Sequence, residues 1–268
     1  MTTISYSVYG LATPLIRAGD DIAAHILAAA QRSECRGLQT ADVVVVAESA
    51  VATAEGRVAV LDELRPSAEA FRLARNYQMD PRLVEVVLRE SDRIVGGIPG
   101  FLLCMKNGTL LPNAGIDASN TPSGSVTLLP VDPDASAARI RAGIAERSGA
   151  DVGVIIADSR THAMRLGCSG VAIGCSGIPS VVDERGKPDL FGRELEVTKR
   201  AVADCIASAA ELVMGEADEC VPAAVVRGMG LPVGDYAGVA AIDASECLFM
   251  GVALHADPSL LVDGKGEP

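Results

Sequence analysis

The stretch Leu111-Pro112-Asn113-Ala114-Gly115-Ile116-Asp117-Ala118-Ser119-Asn120 places a carboxylate, a hydroxyl and a carboxamide within four residues of one another. None of these side chains belongs in an apolar core without a partner. A second carboxylate–hydroxyl pair, Asp158-Ser159, closes the most hydrophobic strand pattern of the chain, and a third acidic position, Glu216, falls in Met214-Gly215-Glu216-Ala217-Asp218-Glu219. Hard oxygens are the ligands that Mg and Mn prefer, and ions so held are the usual means of handling phosphate. Taken singly, each cluster is better explained as a turn or a helix cap. Their recurrence at the ends of three separate elements points to a divalent-metal site.

The elements that must position these groups can be read from periodicity. Ile4–Leu11 alternates as a strand, and Gly19-Asp20-Asp21 opens a helix with Ile22, Ile26, Leu27 and Ala30 on one stripe and Asp20 as its N-cap. The continuous apolar runs Ala41–Ala47 and Val152–Ala157 predict buried strands. Pro66-Ser67 and Asp80-Pro81 start two helices, the second with a cap and an N1 proline in order. Asn107-Gly108 between Phe101–Met105 and Thr109–Leu111 predicts a hairpin. Ser136 leads a helix carrying Ile140 and Ile144. The glycine-rich stretch from Gly167 to Gly177 repeats Gly-Cys-Ser-Gly and reads as close backbone packing or a loop at the site. Arg193–Met214 is the longest helical pattern, with Leu195, Val202, Ile206, Ala209 and Val213 on its buried face, and Ala223–Val226 is a short strand. This interspersion, without strict βαβ order, predicts a mixed α+β (α/β) fold. The expected organisation is one domain over residues 1–257, with a subdomain break near 130–134 or 177–186, and a tail from 258 to 268.

With 268 residues, 49% of them hydrophobic, the chain can bury a sizeable core; with 3% aromatics and no Trp, that core is aliphatic. The net charge of −12 and pI of about 4.7 argue against non-specific nucleic-acid binding and against an anionic membrane surface. A phosphorylated substrate stays compatible with this charge, because a bound metal supplies local positive charge. Seven cysteines without a CxxC pair, and no apolar run near the roughly 18 residues of a membrane span, predict a cytoplasmic chain with reduced thiols.

The ordered landmarks carry a more specific signal. Pro14-Leu15-Ile16 with Gly19-Asp20-Asp21, Ala54-Glu55-Gly56-Arg57, Asn113–Asn120, Asp132–Ala137, Val154–Ser159, Phe191–Leu195, Met214-Gly215-Glu216 and Val225–Gly228 together resemble the γ-glutamyl ligase family that adds glutamate to the deazaflavin coenzyme F-420 precursor. The resemblance runs from about Gly10 to Gly228. It implies an intertwined homodimer and a GTP-dependent ligation that joins L-glutamate to a carboxylate acceptor through an acyl-phosphate, with two Mg or Mn ions and a K ion. It further implies catalytic roles for Asp117 and Asp158, metal contacts from Asp117, Asp158, Ser159 and Glu216, and nucleotide contacts from Pro14, Leu15, Ile16, Glu48, Thr53, Asn120, Met214 and Gly215. Glu48 and Thr53 occupy positions where the family pattern has Ser and Lys. A carboxylate beside a polyphosphate costs about 4 kcal/mol at 4 Å and an effective dielectric of 20. These two residues motivate an alternative reading, a non-catalytic or re-purposed paralogue that binds a different nucleotide or acidic metabolite. Arg160-Thr161-His162 likewise stand where the family has Asn-Gly-Arg. His162 is a candidate metal ligand or base and could pair with Cys168 or Cys175, but surface histidine and small-residue packing are the readings preferred here.

Overall fold

The computed structural model describes residues 4–236 and 238–255; the tail expected from Pro258 lies outside them. Within that span the fold is mixed α+β, as the pattern of elements predicts.

The chain runs β1 (Ser7–Leu11), α1 (Ile22–Arg32), β2 (Val43–Ala47), α2 (Glu48–Ala54), β3 (Val58–Val60), α3 (Ala68–Tyr77), α4 (Pro81–Glu90), β4 (Arg93–Ile98), β5 (Phe101–Lys106), β6 (Thr109–Pro112) and β7 (Ser125–Thr127). It continues through α5 (Pro133–Ser148), β8 (Gly153–Thr161), β9 (Cys168–Ser176), β10 (Val181–Asp183), β11 (Lys199–Ala201), α6 (Val202–Met214), β12 (Ala223–Arg227) and α7 (Leu248–His255).

The main sheet has the order β1-β12-β2-β8-β9. Only β2 and β8 pair in parallel; the other neighbours are antiparallel. Both faces are covered, which is why β2 and β8 are continuous apolar runs rather than alternating ones. Val44, Val46, Val154 and Ile156 face α1 and α5. Val43, Val45, Ile155 and Ala157 face α6 through its stripe of Val202, Ala203, Ile206, Ala207, Ala210 and Met214. A second apolar body joins α3 and α4 to the β4-β5-β6 sheet and β7, around Leu73, Val84, Val87, Leu102, Cys104 and Val126. Among the described residues no helix is long and apolar enough to cross a membrane.

Several sequence expectations are corrected. Helix α1 is capped by Asp21, whose carboxylate accepts from the Ala24 N–H; Asp20 instead accepts from the Arg17 N–H. Helix α5 starts at Pro133 under an Asp132 cap, three residues before Ser136, and is the longest helix among the described residues. Helix α6 starts at Val202, because Lys199–Ala201 pairs with Val181–Asp183 as β11. Its inner face is shifted accordingly, leaving Val213 exposed. Asp158 and Ser159 lie inside β8 rather than after it.

The glycine-rich stretch is strand β9, not a loop. The close-packing half of that reading does hold. A Cβ at Gly170 would stand 2.5 Å from the Ala207 carbonyl carbon on α6, and one at Gly174 would stand 2.4 Å from the Pro133 carbonyl on α5. Both helices thus approach the edge strand where it has no side chains.

Candidate functional site

The parallel pair β2 and β8 ends on one side of the sheet, and a cleft of about 370 Å3 opens there. Open sheets commonly place ligands beyond the carboxyl ends of parallel strands. Four segments complete the walls. The turn after β1 brings Thr13, Pro14, Leu15 and Ile16; α2 brings Glu48, Ser49 and Thr53; the loop between β6 and β7 brings Asp117, Ser119 and Asn120; and the end of α6 brings Glu211, Met214, Gly215 and Glu216. Ser159 enters from β8. Residues that the sequence scatters over some two hundred positions thereby face one space.

The loop that carries Asp117 leaves β6 through an unusual turn. Asn113, Ala114 and Gly115 have φ of 50°, 56° and 73°, so three consecutive residues are left-handed. For residues other than glycine this costs roughly 1–2 kcal/mol each. The turn is fixed because the Asn113 carboxamide oxygen accepts from the Leu102 N–H at 2.9 Å and Ala114 is fully buried. Asp117 then pairs its backbone with Thr127 of β7, N to O at 3.0 Å, and its side chain accepts from the Ser119 N–H and hydroxyl. Asn120 donates to the Ala217 carbonyl at 3.1 Å, tying this loop to the turn after α6.

Asp158 does not line the cleft but stands close behind it. Its carboxylate accepts from Arg160 Nε at 2.7 Å, and the two side chains share one face of β8 while Ser159 takes the other. Burial raises the Asp158 pKa, Arg160 opposes that rise, and Asp117 adds to it. The same field reaches two glutamates. Glu48 is pushed up to about 8, chiefly by loss of solvation and then by Asp158, against stabilising hydrogen bonds from its own and the Ser49 backbone at the start of α2. Glu211 is pushed up to about 7 by desolvation, then by Glu216 and Asp158. Desolvation and Asp158 thus both disfavour the charged form of Glu48. That direction softens the repulsion expected at this position from the sequence.

The oxygens of Asp117, Asp158, Glu216 and Ser159 are of the kind that a hard cation takes, and one cysteine, Cys220, also lines the cleft. The upward shifts of Asp158, Glu48 and Glu211 are what a bound cation would relieve. Among the described residues, however, no three acidic, histidine or cysteine side chains already converge tightly enough to enclose an ion. The residues fit a divalent ion by chemistry, with rearrangement needed to close around it.

Glu211 was not anticipated from sequence. A signal existed, since a glutamate in the last turn of a helix opposes the macrodipole and has no local reason to be there. His162 is placed outside the cleft, exposed, with Nε2 2.9 Å from Ser169 Oγ. Cys175 is buried and its thiol is pushed up to about 12, first by desolvation and then by Asp134, so it is no nucleophile at neutral pH.

The fold is thus a mixed sheet covered on both faces, with an acidic cleft at the ends of its parallel strands. The description "F420-0:Gamma-glutamyl ligase" matches residues 10–228, and the chain belongs to that family. It is 47% identical to the Coenzyme F420:L-glutamate ligase of Methanopyrus kandleri over 80% of this chain and 83% of that one. The proteins of the same description from Methanothermobacter thermautotrophicus and Archaeoglobus fulgidus are 44% and 43% identical, over 80% and 84% of this chain and 85% and 88% of theirs.

Proposed function

We propose that this chain is a ligase that forms an amide between L-glutamate and the carboxylate of an F420-0-type acceptor, driven by GTP. The observation that carries the reading is the single cleft into which Asp117, Ser159, Glu216, Asn120 and the Pro14–Ile16 turn project together. The names of its relatives support the substrate. In the reaction, an acceptor carboxylate oxygen attacks the γ-phosphorus and the bond to the β-phosphate oxygen breaks, releasing GDP. The glutamate amine then attacks the acyl carbon, phosphate leaves with the C–O electron pair, and the amine loses a proton. The apolar side chains at Leu15 and Ile16 suit a nucleotide base, and Asn120 supplies a carboxamide beside them. Asp117, Asp158, Ser159 and Glu216 would hold Mg or Mn, which when bound supplies the positive charge that a polyphosphate requires in this acidic cleft.

We also propose a homodimer. Met164 and Leu166 at the β8–β9 turn, and Leu190, Phe191 and Val197 before β11, are all almost fully exposed. Large apolar side chains presented to water in this way mark surfaces that a partner covers.

The deciding assay incubates the purified chain with GTP, L-glutamate, F420-0 and Mn, and follows the glutamylated product by mass. Product that disappears with EDTA is the expected result; GTP intact and no product after overnight incubation would sink the reading. Thr53, which lines the cleft where the family pattern has Lys, favours the second reading of a re-purposed paralogue. Under that reading the chain would bind a nucleotide or acid without turning over, and Thr53→Lys would not raise its affinity for GTP.

A further inference from the structure

A second groove, about 660 Å3, lies on the other side of the Asp158–Arg160 pair, along edge strand β9. Its walls are largely apolar, with Leu110, Val131, Val171, Ile173, Ile242 and Met250 among them. The charged group that distinguishes it is Arg160. This residue is only 9% exposed, yet its sole protein partner among the described residues is Asp158, taken through Nε. Among the described residues no buried side-chain nitrogen or oxygen lacks a partner. The two Nη atoms of Arg160 are therefore not sealed in protein but open to the groove that Arg160 lines. A guanidinium held by one edge, with its other edge presented from an apolar wall, is a preformed receptor for a carboxylate or phosphate.

The other charges of the groove have structural employment. Lys106 is paired with Glu90. Asp132 caps α5, Asp134 accepts from the Cys175 and Val239 N–H groups, and Asp204 accepts from the Ala172 N–H at 2.9 Å. Arg160 is thus the groove's one guanidinium, and among the described residues its two Nη atoms have no protein partner.

Resting on the ligase reading above, we infer that this groove receives the acidic acceptor: an anionic group on the Arg160 Nη atoms, an extended apolar body on the Val171, Ile173 and Val131 walls. The volume suits a ligand much larger than an amino acid. Arg160 joins the two sites physically, since the same guanidinium that faces the groove holds Asp158 behind the cleft. An acceptor acid bound there would lie one side chain away from the phosphate site.

The test is calorimetric titration of F420-0, and separately of GTP with Mn, into the wild type, Arg160→Gln and Val131→Trp. Val131 is 69% exposed on the groove wall, so the tryptophan fills the groove without disturbing the core. The expected result is F420-0 affinity at least tenfold weaker in both variants, with GTP affinity in Val131→Trp within threefold of wild type. Wild-type binding of F420-0 that neither variant alters would overturn the groove assignment and leave the ligase reading standing. Failure of the wild type itself to bind F420-0 would overturn both.

Discussion

Asn120 and Ala217 are 97 residues apart in sequence and joined by a hydrogen bond, Nδ2 to O at 3.1 Å, across the mouth of the acidic cleft. One loop carries Asp117 and the other carries Glu216, so this bond sets the spacing of two carboxylates from different parts of the fold. Asn120→Ala removes it. A net hydrogen bond of this kind is worth about 1 kcal/mol. GTP affinity is expected to fall roughly fivefold to tenfold, with a melting temperature within a degree or two of wild type because the residue is exposed. A large loss of stability with unchanged affinity would mean that the bond serves the fold and not the site.

Asp158→Asn tests the metal. Removing one carboxylate from a hard-oxygen set should weaken Mn binding at least tenfold in a calorimetric titration with GTP present, a change of about 1.4 kcal/mol. Equal affinities in the two proteins would take Asp158 out of the metal site and leave it as the anchor of Arg160.

Glu48 makes stability depend on pH. Its pKa rises from 4.5 to about 8 on folding, so the folded state holds the proton more tightly than the unfolded chain does. Stability is then fully present below about 4.5 and falls as pH rises through about 8. Each tenfold change in proton affinity is about 1.4 kcal/mol, so the loss amounts to a few kcal/mol. Glu48→Gln cannot ionise. In EDTA, its urea midpoint should change less between pH 5 and pH 9 than that of the wild type, and should exceed the wild type at pH 9. Parallel profiles would show that the carboxyl is ionised throughout.

Gly170→Ala tests the packing of the edge strand. The added methyl would meet the α6 backbone at Ala207 and Ser208. Neither neighbour can move without shifting the helix that ends at the cleft. Overpacking of this kind costs about 1–3 kcal/mol. A melting temperature lowered by several degrees is expected, and one equal to wild type would mean that α6 gives way freely.

The strands of the central sheet and their companions in the second body were legible where one local rule acted alone. Asp80 followed by Pro81 fixes the start of α4, and Asn107-Gly108 fixes the hairpin of β5 and β6. The runs at Val43–Ala47 and Gly153–Ala157 announce burial on both faces, and the cleft lies at their ends. What escaped is what tertiary contact decides. Glycines at 170 and 174 left close packing and a loop as alternatives, because nothing local reveals which helices press on that strand. Arg193–Thr198 shares a helical apolar spacing with α6, but pairing of Lys199–Ala201 with β10 sets the boundary later. At the site, Asp117, Ser159 and Glu216 were visible because polar residues ended apolar patterns. Glu211 was hidden inside a helical stripe, and its raised pKa arises only from neighbours that folding supplies.

The left-handed turn at Asn113-Ala114-Gly115 has a consequence for how the gene tolerates change. No side chain of these three residues lines the cleft, yet the space around them is nearly closed to substitution. Ala114 is completely enclosed, and a Cβ at Gly115 would stand 2.6 Å from the Leu129 side chain. Asn113 combines a backbone conformation that few residues accept with a carboxamide committed to Leu102. A saturation library scored for activity would therefore show an intolerant triplet at 113–115, outside the cleft lining, followed by a more permissive Ala118 whose side chain is exposed. An observer working from such a map alone would place the active site three residues too early.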